Sequence, residues 1–264
     1  MAARLALRFT ALAYLAAILA LPVGMIFYRS FEHGALAAWQ AVTQPDALHA
    51  LWLTLLIAAI AVPMNTVFGV LCALLLVRSK LRFARILDVL VDLPFAVSPV
   101  VVGLALVLVY GRQGWFGPWL ASHDIRVIFA LPSMVLATVF VSLPFVVREV
   151  VPVLRESGED QEQAARTLGA SAWQAFWRVT LPSIRWGVTY GVVLTMARAL
   201  GEFGAVSVVA GHLAGVTQTL TLYVDDRFQS FDLTGAYVAS VVLALLAFAT
   251  LFSMNALARK EARS

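Results

Sequence analysis

Apolar positions in this chain neither alternate nor trace a narrow helical stripe; they run on. Uncharged stretches occupy 9–28, 50–77, 93–111, 127–147 and 233–258, each close to or beyond the roughly 20 mainly apolar residues that carry an α-helix across a bilayer. Backbone in lipid must satisfy its own hydrogen bonds, so runs of this length predict helices. A further run, 186–210, has the right length but carries Arg198 and Glu202. Counting it predicts an all-α, polytopic membrane protein of six transmembrane helices, with both termini on one side. Within the third run, Pro94 and Pro99 predict broken helical hydrogen bonds around Ser98, where freed backbone groups and a hydroxyl can line an aqueous path.

Between the fourth and fifth of these helices, at about 148–185, the pattern turns polar and helix-forming. Ser157 with Asp160, and Ser171 with Gln174, have the spacing of a capping box. Glu159, Asp160 and Glu162 suit the positive end of a first helix, and Glu162 stands four residues before Arg166. Gly169 can end that helix in the left-handed conformation. A second helix, from 172 to about 179, puts Trp173, Phe176 and Trp177 on one stripe, predicted to pack under the membrane domain before Pro182 stops or redirects it. Ala164, Ala165 and Leu168 leave the first helix a low-relief surface. Such a pair either docks another protein or lies flat on the bilayer, and the residues alone weigh the two equally.

Composition agrees with the pattern: 61% of residues are hydrophobic and 13% charged, against about 25% charged in soluble domains. Basic residues of short loops stay cytoplasmic. With the N-terminus inside, only Arg29, Arg112, Arg126 and Arg227 of the nineteen Lys and Arg residues fall outside, and Arg198 falls within the membrane. The others, among them Arg78, Lys80, Arg82, Arg148 and Arg263, are cytoplasmic. The net charge of +4 therefore calls for no nucleic acid, because the anionic inner leaflet accounts for basic loops. Arg4 and Arg8 before an apolar run also fit a signal peptide, but that run exceeds the usual apolar stretch of about 7–15 residues. His33, His49, His123 and His212 all map to the outer side without metal-site spacing, and Cys72 is the only cysteine. No GxxxxGK[ST] loop occurs, so ATP-driven work would need a separate ATPase. The longer outer loops, at 30–49, 112–126 and 211–232, have room for short helices and an external partner.

The polar segment resembles the EAA loop of bacterial ABC importer permeases, whose pattern is EAA, three residues, Gly, nine residues, an apolar residue, one residue and LeuPro. Gln163-Ala164-Ala165, Gly169, Val179 and Leu181-Pro182 fall at those positions. Gln163 stands where the pattern has Glu, with Glu162 one residue earlier. The resemblance implies that Glu162, Gln163, Ala164, Ala165, Gly169, Leu181 and Pro182 couple the chain to an ATPase dimer, which uses ATP and Mg while this chain binds no cofactor.

Two further segments resemble permeases for tetrahedral oxyanions: DLPFAVSPVVVGL at 92–104, and the GEFGA-containing stretch at 197–215, closest to W-type subunits of the sulfate/thiosulfate importer. The implied protein is one permease domain, 1–264, in the bacterial inner membrane. Its implied partners are a sister permease, an extracytoplasmic sulfate-binding protein, the ATPase and lipid. Ser98, Pro99, Arg198, Gly201, Glu202 and Gly204 are the candidate pathway and gate residues. An ion inside the membrane is a functional suspect, and Arg198 with Glu202 is equally an internal pair or a substrate contact. A molybdate/tungstate permease is the nearest alternative, and an ion-coupled secondary transporter is the alternative of another class. No clustered nucleophile, base or metal set points to an enzyme.

Overall fold

The computed structural model describes residues 2–78 and 83–261; Lys80, Arg82 and Arg263, assigned to the inner side above, lie outside them. All regular elements among the described residues are helical. α1 (Leu7–Ser30) is followed by the short α2 (Ala35–Val42) and by α3 (Pro45–Arg78). Next come α4 (Phe83–Ala96), α5 (Pro99–Tyr110), the short α6 (Gly117–Ser122) and α7 (Leu131–Ser157). A polar pair, α8 (Asp160–Thr167) and α9 (Ala172–Ala175), leads through a π-turn, Phe176–Thr180, into α10 (Leu181–Leu200). α11 (Gly204–Val209), α12 (Leu220–Gln229) and α13 (Leu233–Glu261) follow. The three loops assigned above to the outer side carry short helices, namely α2, α6 and α12.

Among the described residues, four helices are long and apolar enough to cross a membrane: α1, α3, α7 and the Leu233–Ser253 part of α13. The third run is not one straight helix. Ala84–Ala96 and Pro99–Tyr110 meet at 111°, and they make a fifth span if the bent pair counts as one. Pro94 is accommodated inside α4, whereas Pro99 starts α5, where its missing N–H costs nothing and its preceding residue is pushed to extended geometry. Ser98 accordingly has ψ 135°. The run at 186–210 is also broken: α10 ends at Leu200 and α11 begins at Gly204.

α7 is the centre. Of its most apolar 18-residue window 61% is buried, against none of α1's. α3 and α10 flank it, and glycines set how closely. A Cβ on Gly69 of α3 would lie 2.6 Å from Val146 Cβ, and one on Gly191 of α10 would lie 2.8 Å from Val146 Cα. Val146, Val147, Val150, Leu154 and Ile184 are all fully buried around this clamp. Asn65 Nδ2 crosses from α3 to α7, donating to Ser142 Oγ at 2.8 Å and Val139 O at 3.1 Å. Interhelical side-chain bonds in membranes contribute about 0.6 kcal/mol on average.

At the end of the molecule where α3 begins, α12 is tied down by polar contacts. Tyr223 donates its hydroxyl to Gln44 Oε1 at 3.1 Å, and burial pushes its pKa up. Arg227 lies over the Tyr223 ring, 3.8 Å from Asp46 and 3.6 Å from Asp232. α8 and α9 sit at the other end, beside the last residue of α3.

Candidate functional site

The polar segment is shorter than expected, because α7 runs on to Ser157 and α10 starts at Leu181. Ser157 does not cap α8. Its hydroxyl instead donates back to Val153 O at 2.8 Å, and Glu159 occupies the N-cap without a side-chain bond. Ser171 does cap α9: Gln174 N–H donates to Ser171 Oγ while Ser171 N–H donates to Gln174 Oε1. Between them Gly169 has φ +88°. Its N–H donates to Arg166 O, and Ala170 N–H reaches back to Ala165 O, the two bonds of a Schellman motif.

This bend leaves an outward face. Leu168 is 89% exposed, Gln163, Ala164 and Gly169 are exposed, and Ala165 is half-buried. An open groove of about 320 Å³ runs between the helices, lined by Ala165, Leu168, Gly169, Ala170, Gln174 and Arg178 among others. Leu181 packs into the core around Val150 and Ile184, whereas Pro182 is exposed.

Three expectations need correction. Pro182 does not stop the second helix: α9 continues through the π-turn into α10, and the turn's Leu181 N–H to Phe176 O bond supplies the wider coil in which a proline's missing donor is tolerated. The aromatic stripe does not pack wholly under the domain. Trp173, Phe176 and Trp177 touch one another, with centroids 5.4–6.1 Å apart, but only Phe176 joins the core, and Trp173 is 69% exposed. Glu162 turns inward instead of toward Arg166. Arg78 Nη2 donates to Glu162 Oε1 at 2.9 Å, and Thr180 Oγ1 donates to the same oxygen at 3.0 Å.

The two breaks meet. α11 lies against α5, with Gly204 under Pro99 and Gly103 under Val208; a Cβ would come within 2.9 Å and 2.7 Å respectively. This brings the segments 92–104 and 197–215 together. Ser98 is exposed at the bend and makes no cap bond. Arg198 Nη1 lies 2.7 Å from Glu202 Oε2; the Arg198 side chain is 30% exposed and that of Glu202 2%. Glu202 Oε1 accepts from Ala205 N–H at 2.8 Å, and Glu202 O accepts from Thr221 Oγ1 at 2.8 Å. Glu202 thus holds the start of α11, leaving Arg198 as the partly open charge. Gly201 permits a turn but no close approach, its nearest neighbour for an added Cβ being 3.6 Å away.

Sequence reasoning missed three features. Arg148 of α7 binds Asp92 of α4 through Nε at 2.7 Å and also through Nη2, with Asp88 at 3.0 Å. Arg78 was counted only as a basic loop residue. Gly187 and Gly191 form a GxxxG pair that was legible but unused; a Cβ on Gly187 would lie 2.8 Å from Glu149 O.

Apolar spans thus surround a broken helix pair, and a polar helix pair projects from one end. The family described as binding-protein-dependent transport system inner membrane component matches residues 65–263, and the chain belongs to it. Among relatives, it is 52% identical over 241 residues to the sulfate transport system permease protein CysW of Synechocystis, covering 91% of this chain and 87% of that one. It is 50% identical to the CysW of Escherichia coli K12, covering 89% and 81%. The CysT permease of the same bacterium is 40% identical, covering 96% and 92%. The fold matches a bacterial importer of the acidic polysaccharide alginate with a TM-score of 0.80 at 16% identity, over 97% of this chain and 94% of that one.

Proposed function

We propose that this chain is the W-type permease subunit of an ATP-driven sulfate/thiosulfate importer. The observation that carries the reading is the contrast between 52% identity to a CysW and 40% to a CysT, each over at least nine-tenths of this chain. The sister permease would then be a CysT-like chain, giving a heterodimer served by an ATPase dimer and an external sulfate-binding protein.

In this reading the whole chain, 1–264, is one permease domain crossing the membrane six times with both termini cytoplasmic. The bent α4–α5 pair counts as the third crossing, α10 is the fifth and α13 the sixth. Gln163, Ala164, Ala165 and Gly169 meet the ATPase, while Glu162 and Leu181 fix the pair to the core and Pro182 sets the start of α10. Ser98, Pro99, Gly201 and Gly204 shape the path at the juncture of α5 and α11. Arg198 lowers the cost of a dianion in a low-dielectric passage, where an uncompensated charge costs at least about 2.5–3.5 kcal/mol. Glu202 orients it.

The test is uptake of labelled sulfate into vesicles bearing the four-component complex. ATP-dependent uptake of sulfate, competed by thiosulfate and not by molybdate, is expected. Uptake of molybdate alone would move the chain to the molybdate/tungstate permeases, and uptake on an ion gradient without the ATPase would make it a secondary transporter.

A further inference from the structure

Arg78 closes α3, the 34-residue helix that contributes half of the Val146 clamp, and it is the residue through which that helix reaches the polar pair. Its guanidinium is four-fifths buried. Nη2 donates to Gly158 O at 2.6 Å and to Glu162 Oε1 at 2.9 Å, and Nη1 lies 3.7 Å from Glu159. Glu162 is equally sheltered, at 15% exposure, and its Oε1 also takes the hydroxyl of Thr180, a buried residue at the end of the π-turn. Gly158, with φ +64° and ψ −164°, adopts backbone geometry open essentially to glycine alone, which turns its carbonyl toward Arg78.

One guanidinium therefore joins the end of α3, the turn leaving α7, the first turn of α8 and, through Glu162, the entry to α10. α3, α7 and α10 are the three helices of the core. An exposed ion pair contributes only about 0–1 kcal/mol, but this one is sheltered and reinforced by a carbonyl and a hydroxyl. It is a stiff joint. Planar guanidinium geometry suits it, since a lysine could not hold the carbonyl and carboxylate in a fixed fork.

We infer that Arg78 and Glu162 form a positioning strut that transmits displacement of α8 to the end of α3, coupling events at the polar pair to the core. The inference rests on the reading that α8 and α9 dock an ATPase.

The test uses the complete complex in proteoliposomes, with sulfate uptake and ATP hydrolysis measured together. In R78A, and in E162Q, which keeps the side chain's volume, the sulfate moved per ATP should fall at least ten-fold. The ATPase should still co-purify, with basal hydrolysis within about two-fold of the parent. R78K should recover part of the ratio, and the exchange R78E/E162R more than either single reversal. An unchanged ratio in E162Q and R78A overturns the strut. So does loss of ATPase co-purification in E162Q, which would make the pair a requirement for assembly. G169P, run alongside, separates the two claims: if it too leaves the ratio unchanged, the docking reading fails, and if it alone uncouples, only the strut does.

Discussion

With 2% of its side chain exposed, Glu202 is buried beside Arg198, whose Nη1 lies 2.7 Å from its Oε2, so of the two charges Arg198 is the more open. Hydrogen bonds to charged groups contribute about 1.5–3 kcal/mol. E202Q, which keeps an oxygen for Ala205 N–H but loses the charge, should lower stability of the purified complex by about that much. A thermal melt in detergent checks it, and an unchanged melt with abolished uptake would return Glu202 to the transport path. Local spacing made this pair legible because both members share one helix. The Arg78–Glu162 pair was not legible, because its members stand 84 residues apart and only the tertiary fold brings them together. Even local signals compete: Ser157 has the same spacing to a partner as Ser171, yet the end of α7 captures its hydroxyl first.

Among elements, the clamp of α7 between α3 and α10 makes the sharpest demand on sequence. Ala at Gly191 would place a carbon 2.8 Å from Val146 Cα, a backbone atom that cannot yield as a side chain can, whereas Gly24 of α1 has nothing within 4 Å. Overpacking costs about 1–3 kcal/mol. Gly191→Ala should therefore destabilise by that amount, while Gly24→Ala should be neutral or stabilise by up to about 1 kcal/mol; comparison of the two melting temperatures checks both. The existence of the long helices was legible from hydropathy, since lipid leaves the backbone few options. The break in the third run was legible as well, since Pro94 and Pro99 place broken hydrogen bonds around Ser98; its 111° angle was not, because tertiary packing of α5 on α11 sets it.

For the molecule as a whole, an ion-paired cluster marks each end, with Arg78, Glu159 and Glu162 at one and Asp46, Arg227 and Asp232 at the other. Leu168 and Trp115 mark them, at 89% and 87% exposure. In a chain whose half-buried Cys72 is replaced by Ala, a cysteine at 168 should react with an impermeant maleimide only from the cytoplasmic face, and one at 115 only from the outside. Reaction of both from one side would refute the six-crossing topology. The clamp at Val146 also has a consequence in time. Chains emerge from the ribosome at about 5–20 residues per second, so on the order of 10 s separates synthesis of Gly69 from that of Gly191. α7 reaches α3 part-way through that interval, when Ser142 becomes available to Asn65, and the opposite side of Val146 stays bare until Gly191 of α10 arrives. Until then the half-built core presents a glycine-sized gap to any other helix in the membrane.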